Sequence, residues 1–311
     1  MTDGQVVLGV LHPGSMGAAV AACAVSAGAH VLWCSAGRSS TTSARAGQFG
    51  LEPVAELSKL LARAEVVLSL CPPAAAEDVA AEVASHGFGG LYVEGNAISP
   101  ERSARIAEVL SGSARAVVDG AVIGSPPVGS KRTRLYLSGP TEETALVGRI
   151  FAGTAVSTPV LGEEIGQASA LKLSYTAYQK ASRVLAALSY GLAEHHGVGQ
   201  ELLDVASARS GSYLVETDYI AKTAKRAWRW APEMEEAGDS LRAAGLPDEL
   251  MRAAASTLGR WETARDQSLT VEQALEVLTG ARTLSTGQPP HPASGGHARL
   301  VQRGEPNTPG S

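Results

Sequence analysis

The chain has 311 residues, 44% hydrophobic and 18% charged, with a formal net charge of −5. That length supports two domains with well-buried cores. The balance gives no basic footprint for nucleic acid or a membrane surface, no apolar run reaches a membrane span, and nothing at the N-terminus reads as a signal peptide. Three cysteines, Cys23, Cys34 and Cys71, lack metal spacing and read as buried thiols in a reducing cytoplasm, so no metal is expected.

The first thirty-odd residues carry the clearest pattern. VVLGVLHPGSMGAAVAACAVSAGAHVLWCS reads as an apolar strand at 6–11, a tight turn, a small-residue helix at 15–27 and a second strand at 30–34. That is the first βαβ unit of a dinucleotide-binding sheet. The turn, Leu11-His12-Pro13-Gly14-Ser15-Met16-Gly17, is where a pyrophosphate would sit on a helix N-terminus. In the G-x-G-x-x-G frame His12 replaces the first glycine. Gly14 lets the backbone approach a phosphate, and Gly17 lets helix pack close on strand.

At the end of the second strand an acid would hydrogen-bond the ribose of NAD and repel a 2′-phosphate. Here the chain runs Cys34-Ser35-Ala36-Gly37-Arg38-Ser39-Ser40-Thr41, with no acid in reach. Arg38 can pair with a phosphate while Ser35 and Ser39 donate hydrogen bonds, which favours NADP(H). The blander alternative makes Arg38 an exposed charge and the serines a helix cap.

Further strands are expected at 66–70, 91–94, 114–118 and 134–137, with helices at 41–46, 74–86, 100–111 and 141–151. The alternation predicts an α/β architecture, a mostly parallel sheet with helices on both faces. The loop between the last two strands is too short for a crossover helix, which allows an antiparallel pair. Loops at the carboxyl ends of strands, Ser69-Leu70-Cys71-Pro72-Pro73 and Glu94-Gly95-Asn96-Ala97, lie where ligands bind in such sheets. Backbone and small side chains there, Cys71 and Pro72 among them, can line a nicotinamide ribose, and Asn96 can hydrogen-bond the carboxamide or the substrate; taken alone, each is an ordinary loop.

After Gly162 the strand pattern stops. Helices are expected at 164–196, 200–208, 213–226, 232–244, 247–264 and 271–278, an all-α domain on a long connecting helix. The domains expected are 1–161 and 162–282. The remainder, 283–311, is rich in Gln, Pro, Gly, Ser and Arg and reads as a disordered tail. Lys172, Thr176 and Gln179 share one face of the long helix. Lys172 lies among apolar and small residues, and two readings fit it. It is either a lysine snorkelling from a half-buried helix or one whose desolvated amine moves protons near neutral pH. Lys225-Arg226-Ala227-Trp228-Arg229-Trp230 shapes a pocket or covers a surface, and His195 and His196 suit a helix C-terminus.

The phrases GVLHPGSMG, DGAVIGSPP and GQASALKLSYTAYQK, in that order over about residues 4–265, resemble the β-hydroxyacid dehydrogenase superfamily. That superfamily holds 3-hydroxyisobutyrate and 6-phosphogluconate dehydrogenases and the related imine reductases. The resemblance implies a Rossmann dinucleotide-binding domain, an all-α C-terminal domain, and NADP(H)-linked hydride transfer to a carbonyl of a small-molecule substrate. It makes Lys172 the proton donor and Asn96 its partner in ordering nicotinamide and substrate. Ile123, Gly124 and Ser125 match the carboxylate-binding loop. Two departures stand out: Thr176 where most members carry Asn, and Ile123-Gly124-Ser125 where many carry Ser-Gly-Gly. Both remove polar groups from a hydroxy-acid pocket. An imine reductase of the same fold, with Tyr175 and Tyr178 near at hand, or a catalytically silent NADP-binding protein are the alternatives. The long helix has apolar residues on more than one face (Leu171, Leu173, Val184, Leu185, Leu188, Leu192), which together with the resemblance predicts a homodimer through the helical domain, the pocket near the subunit junction.

Overall fold

The computed structural model describes residues 5–281, apart from 210, 212, 214, 215 and 266 and a few side chains within the helices. The expected tail at 283–311 lies outside the described residues. The chain divides into two compact units, Met1–Arg183 and Val184–Ser311. The composition change had suggested Leu161.

Among the described residues of the first unit, nine strands form one sheet: β1 (Val7–Leu11), β2 (His30–Cys34), β3 (Glu52–Val54), β4 (Val66–Ser69), β5 (Leu91–Glu94), β6 (Ala116–Gly124), β7 (Thr133–Ser138), β8 (Val156–Ser157) and β9 (Val160–Gly162). Their spatial order is β3-β2-β1-β4-β5-β6-β7-β8, with β9 also pairing with β7. β1 to β6 are parallel, and β7 runs antiparallel to β6. From β1 the chain winds outward to β3, then returns to β4 on the other side. The crevice at that reversal is where a doubly wound sheet binds its ligand.

Alternation along each strand builds two cores. Leu8 and Val10 of β1, Val66 and Leu68 of β4, and Leu91 and Val93 of β5 join one cluster. Leu11, Val67 and Tyr92, one residue out of phase, join the other. Helices α1 (Ser15–Ser26), α2 (Ser40–Gln48), α3 (Leu57–Leu61), α4 (Ala76–Ser85), α5 (Pro100–Leu110) and α6 (Thr141–Ile150) cover these faces. α1 and α6 supply Val20, Ala24, Val147 and Ile150 to the first cluster. α3, α4 and α5 supply Leu60, Val79, Val83, Ile106 and Leu110 to the second. The three cysteines are free and buried, Cys23 of α1 in the first core, Cys34 and Cys71 in the second.

Four elements have no counterpart in the sequence pattern: β3, α3, β8 and β9. β3 is three residues with Pro53 at its centre, tolerated because the strand is at the sheet edge. The others are too short to show a period. β6 is longer than expected and runs on to Gly124, so Ile123 and Gly124 belong to a strand and not to a loop. Its pairing with β7 continues to the couple Gly124 and Thr133.

The second unit is helical. α7 (Gln167–His195) contains the division between the units, and α8 (Gly199–Ser207), α9 (Tyr219–Ala243), α10 (Glu249–Gly259) and α11 (Val271–Thr279) follow. Two helices expected at 213–226 and 232–244 are one helix beginning at Tyr219, with Pro232 inside it. An interior proline costs about 3 kcal/mol. Tertiary packing on either side of it offsets that: Ala224 and Ala227 are buried before it, and Leu241 after it. The Arg252 guanidinium of α10 also holds Glu235 and Asp239 of α9 at 2.5 Å each, and Asp248 at 3.0 Å. Trp261 donates its indole N–H to the Ala274 carbonyl at 2.9 Å, closing a small core with Ala264 and Val277. Among the described residues no helix is long and apolar enough to cross a membrane.

Candidate active site

The carboxyl ends of β1 and β4 border a cleft of about 360 Å³ lined by His12, Gly14, Ser15, Met16, Gly17, Arg38, Thr42, Leu70, Cys71 and Pro72. The turn after β1 is tight: Gly14 N–H donates to the His12 carbonyl at 2.7 Å. A Cβ on Gly17 would lie 2.8 Å from that same carbonyl, so only glycine lets α1 start so close to the strand. Nothing lies within 4 Å of where a Cβ on Gly14 would be, which leaves its backbone approachable. His12 has φ 67°, the left-handed region that the fingerprint gives to glycine and that costs another residue about 1–2 kcal/mol. α1 has no acid in its first turn to compete with a bound anion.

Arg38 lines this cleft, but Ser35 and Ser39 do not. Ser35 donates to the Val54 carbonyl at 3.2 Å, and Ser39 caps α2 by accepting from Thr42 N–H at 3.2 Å. The cap reading therefore describes Ser39. Thr42, in the first turn of α2, also lines the cleft, as does Ser15. Pro13 joins the turn without lining the cavity.

Beyond the cleft a polar row crosses the sheet. Leu11, Ser69, Glu94, Asp119 and Ser138 are successive register partners on β1, β4, β5, β6 and β7, and the last four are fully buried. Asn96 is buried one step past this row. Its amide donates to Ser69 Oγ at 3.2 Å, Ser69 Oγ donates to Cys71 Sγ at 3.8 Å, and its backbone N–H donates to Glu94 Oε1 at 2.9 Å. Asn96 Oδ1, Glu94 Oε2 and the Tyr92 hydroxyl are buried with no partner. An unpaired buried acceptor such as Asn96 Oδ1 is costly and suits a ligand's N–H or O–H. Burial pushes the Glu94 carboxyl up to about 7.

Asp119 is treated differently. Its Oδ1 accepts from Ser103 Oγ at 3.1 Å and Ser169 Oγ at 2.6 Å. Its Oδ2 accepts from Ser138 Oγ at 3.2 Å, Gly166 N–H at 2.9 Å and Ser169 N–H at 3.0 Å. Ser138 Oγ also receives Ala168 N–H at 3.1 Å. A strand carboxylate and its neighbour thus cap the start of α7, where an anion suits the helix dipole. One turn past Ser169, Lys172 is half-buried and donates from Nζ to the Val122 carbonyl at 2.6 Å, three residues beyond the polar row on β6.

Lys172 is therefore brought to the end of β6 that includes Ile123 and Gly124. Gly124 has φ 138°, and a Cβ there would lie 2.6 Å from Thr133 Oγ1. Thr176 and Gln179 continue the helix face, with Gln179 Nε2 donating to the Tyr175 hydroxyl at 3.3 Å. Asp119, Ser138 and Ser169 are the positioning residues the sequence pattern left without a role. Their signal was partial: Asp119 is the one acid inside an otherwise apolar β6 and Ser138 ends β7, while Ser169 is an ordinary serine in the first turn of α7.

The family model described as the NAD binding domain of 6-phosphogluconate dehydrogenase matches residues 7–162, half of the chain. A second, described as a domain of unknown function (DUF1932), matches residues 193–261. Among solved structures, the conserved protein MTH1747, described as structurally similar to 3-hydroxyacid dehydrogenases, is 23% identical over 84% of this chain and 99% of its own, with a TM-score of 0.55. An imine reductase from Pseudomonas sp. is 18% identical over 88% and 100%, with a TM-score of 0.66. A reductive aminase from Aspergillus terreus, solved with NADPH and ethyl levulinate, is 19% identical over 88% and 99%, also at 0.66. These likenesses establish a common fold, and the fingerprint turn, the strand order and the matched residues agree with it. The chain belongs to the family built on the NAD-binding domain of 6-phosphogluconate dehydrogenase, and its fold is that of the 3-hydroxyacid dehydrogenases and imine reductases.

Proposed function

We propose that this protein is an NADP(H)-dependent dehydrogenase or reductase acting on a carbonyl or hydroxyl of a small metabolite, with Lys172 as general acid and base. The observation that carries this reading is the Lys172 ammonium held 2.6 Å from the Val122 carbonyl on a helix whose first turn Asp119 anchors. Supporting the cofactor assignment are the approachable Gly14 backbone, the acid-free start of α1, and Arg38 in the same cleft. The nicotinamide cofactor, when bound, supplies or accepts the hydride.

The chain's own residues divide the remaining work. Ser15 and Met16 offer backbone N–H groups to the pyrophosphate, which the open Gly14 lets approach, and Arg38 and Thr42 face the adenosine end. Asn96 Oδ1 accepts from the carboxamide or the substrate. Lys172 gives its proton to the carbonyl oxygen during reduction and recovers it in the reverse direction. The Val122 carbonyl keeps the amine aimed, so proton transfer needs no search for geometry.

Two measurements test this. NADPH should bind at least ~10-fold more tightly than NADH, with Arg38→Ala removing most of the gap. Lys172→Ala should retain NADPH binding while hydride transfer to a panel of ketones falls by roughly 10²–10⁴-fold. Lys172→Arg should be nearly as slow, since a guanidinium does not give up its proton near neutral pH. Full activity in Lys172→Ala ends the assignment, and turnover of cyclic imines but of no ketone transfers it to C=N reduction. No binding of either dinucleotide would remove the enzyme reading altogether.

The proposal extends to a homodimer through the helical unit. Val184, Leu185, Tyr190, Val198, Leu203 and Val205 are exposed, and an apolar groove of about 550 Å³ lies between α7 and α8. Light scattering at micromolar concentration should give twice the chain mass, and a monomer refutes it.

A further inference from the structure

The turn after β1 carries a residue that its backbone does not ask for. At φ 67° a glycine is comfortable and a histidine is strained, and among the described residues His12 is the one non-glycine with positive φ. The imidazole lines the same cleft as Arg38 and Thr42, at the mouth of α1. Its Nδ1 is buried and has no hydrogen-bond partner. Burial, with the positive Arg38 adding to it, lowers the pKa to about 4, a backbone hydrogen bond toward Leu11 working more weakly the other way. In the free protein at pH 7 the ring is therefore neutral. A strained, partly buried imidazole with an unpartnered Nδ1, sharing a cleft with a guanidinium, is placed to share an anion with it.

We infer that His12 and Arg38 together bind the 2′-phosphate of NADP(H), His12 taking up one proton from solvent as that phosphate docks; this rests on the cofactor reading above. Charge balances without covalent change, an imidazolium and a guanidinium facing a phosphate that carries close to two negative charges at pH 7. The other groups facing His12 do not perturb this. α1 and α2 have no acid in their first turns, Thr42 and Ser15 are uncharged, and Cys71, the other titratable group in the cleft, is held neutral because burial pushes its thiol up. Proton uptake couples affinity to pH in a fixed direction. The free ring is deprotonated above about pH 4, and the phosphate-bound ring titrates higher, so NADPH affinity rises as pH falls toward that bound value. NADH, without the 2′-phosphate, gains nothing from this.

The variant that tests it is His12→Gly, which restores the residue the backbone favours and leaves Arg38 in place. Dissociation constants for NADPH and NADH are measured by calorimetry from pH 8 to pH 6.5, in buffers of different ionisation enthalpy so that protons taken up are counted. The pair 2′,5′-ADP and 5′-AMP repeats the comparison without a nicotinamide. In the parent, the preference for NADPH should increase ~3-fold or more across that range, with up to one proton taken up per NADPH and none per NADH. His12→Gly should lose ~5–10-fold of the preference at pH 6.5 and bind NADPH without proton uptake. An unchanged preference and pH slope in His12→Gly overturns the role of His12 and leaves the NADP(H) reading standing. Equal uptake with NADH overturns the placement on the 2′-phosphate, and no preference at any pH in the parent overturns both.

Discussion

Glu94 at the end of β5 and Asp119 on β6 are register partners, both fully buried, yet the protein surrounds them in opposite ways. Asp119 accepts from three hydroxyls and two backbone N–H groups. Glu94 accepts from one backbone N–H, keeps Oε2 unpartnered, and has its carboxyl raised to about 7. Equal burial thus leaves the two carboxylates with very different numbers of donors aimed at them. The β6 side is finished architecture, fixing the first turn of α7 and hence Lys172. The β5 side leaves Asn96 Oδ1 and the Tyr92 hydroxyl unpaired as well.

The largest effect should come from breaking the complete side. Asp119→Ala strands two helix-terminal N–H groups and three hydroxyls and should lower the unfolding free energy by about 4 kcal/mol in urea titrations. Lys172-dependent turnover should fall with it. A loss under 1 kcal/mol would show that α7 does not depend on this cap.

Glu94→Gln should act with the opposite sign. An acid raised from 4.5 to about 7 in the folded state holds its proton there while the unfolded chain releases it, so stability is present at low pH and lost as pH rises through that window. The parent should lose up to about 3 kcal/mol from this group between pH 4.5 and pH 7.5. Glu94→Gln should be more stable than the parent at pH 8 and close to it at pH 4.5. Destabilisation at pH 8 of the size seen for Asp119→Ala would erase the contrast between the two strands.

Two smaller changes refine it. Ser169→Ala removes one donor of five and should cost about 1–1.5 kcal/mol without altering the pH profile. Tyr92→Phe removes a buried hydroxyl that has no partner, with Ser69 and Glu94 near but outside bonding geometry. Its thermal midpoint should be unchanged or higher, and a drop of several degrees would mean that the hydroxyl is paired after all.

The parts of the fold that read directly from sequence were those with long, unambiguous periods. The apolar runs around Val7–Leu11 and Leu91–Glu94 and the proline-free run of α7 are examples. β3, α3, β8 and β9 were hidden because two to five residues carry no period, and Pro232 was misread because packing on both sides of it overrides local propensity. In the site, the turn around Gly14 and Gly17 and the position of Lys172 were legible as motif and setting. The capping roles of Asp119 and Ser138 were not, since each depends on which helix end lies beside its strand in space. Ser35 and Ser39 are engaged by the backbone beside the loop after β2, a use of a hydroxyl that sequence alone does not show.

The three buried thiols give this unit its own set of probes. Cys23 lies in the core on one face of the sheet and Cys34 in the core on the other, while Cys71 is buried at the edge of the cleft. In the native state each reacts with an alkylating reagent only when its surroundings open, so the labelling rate reports the free energy of that opening. Cys23 and Cys34 register loosening of opposite faces, and Cys71 the breathing of the cleft itself. A dinucleotide seated against Pro72 would slow Cys71 far more than the other two, turning one side chain into an occupancy gauge that needs no substrate.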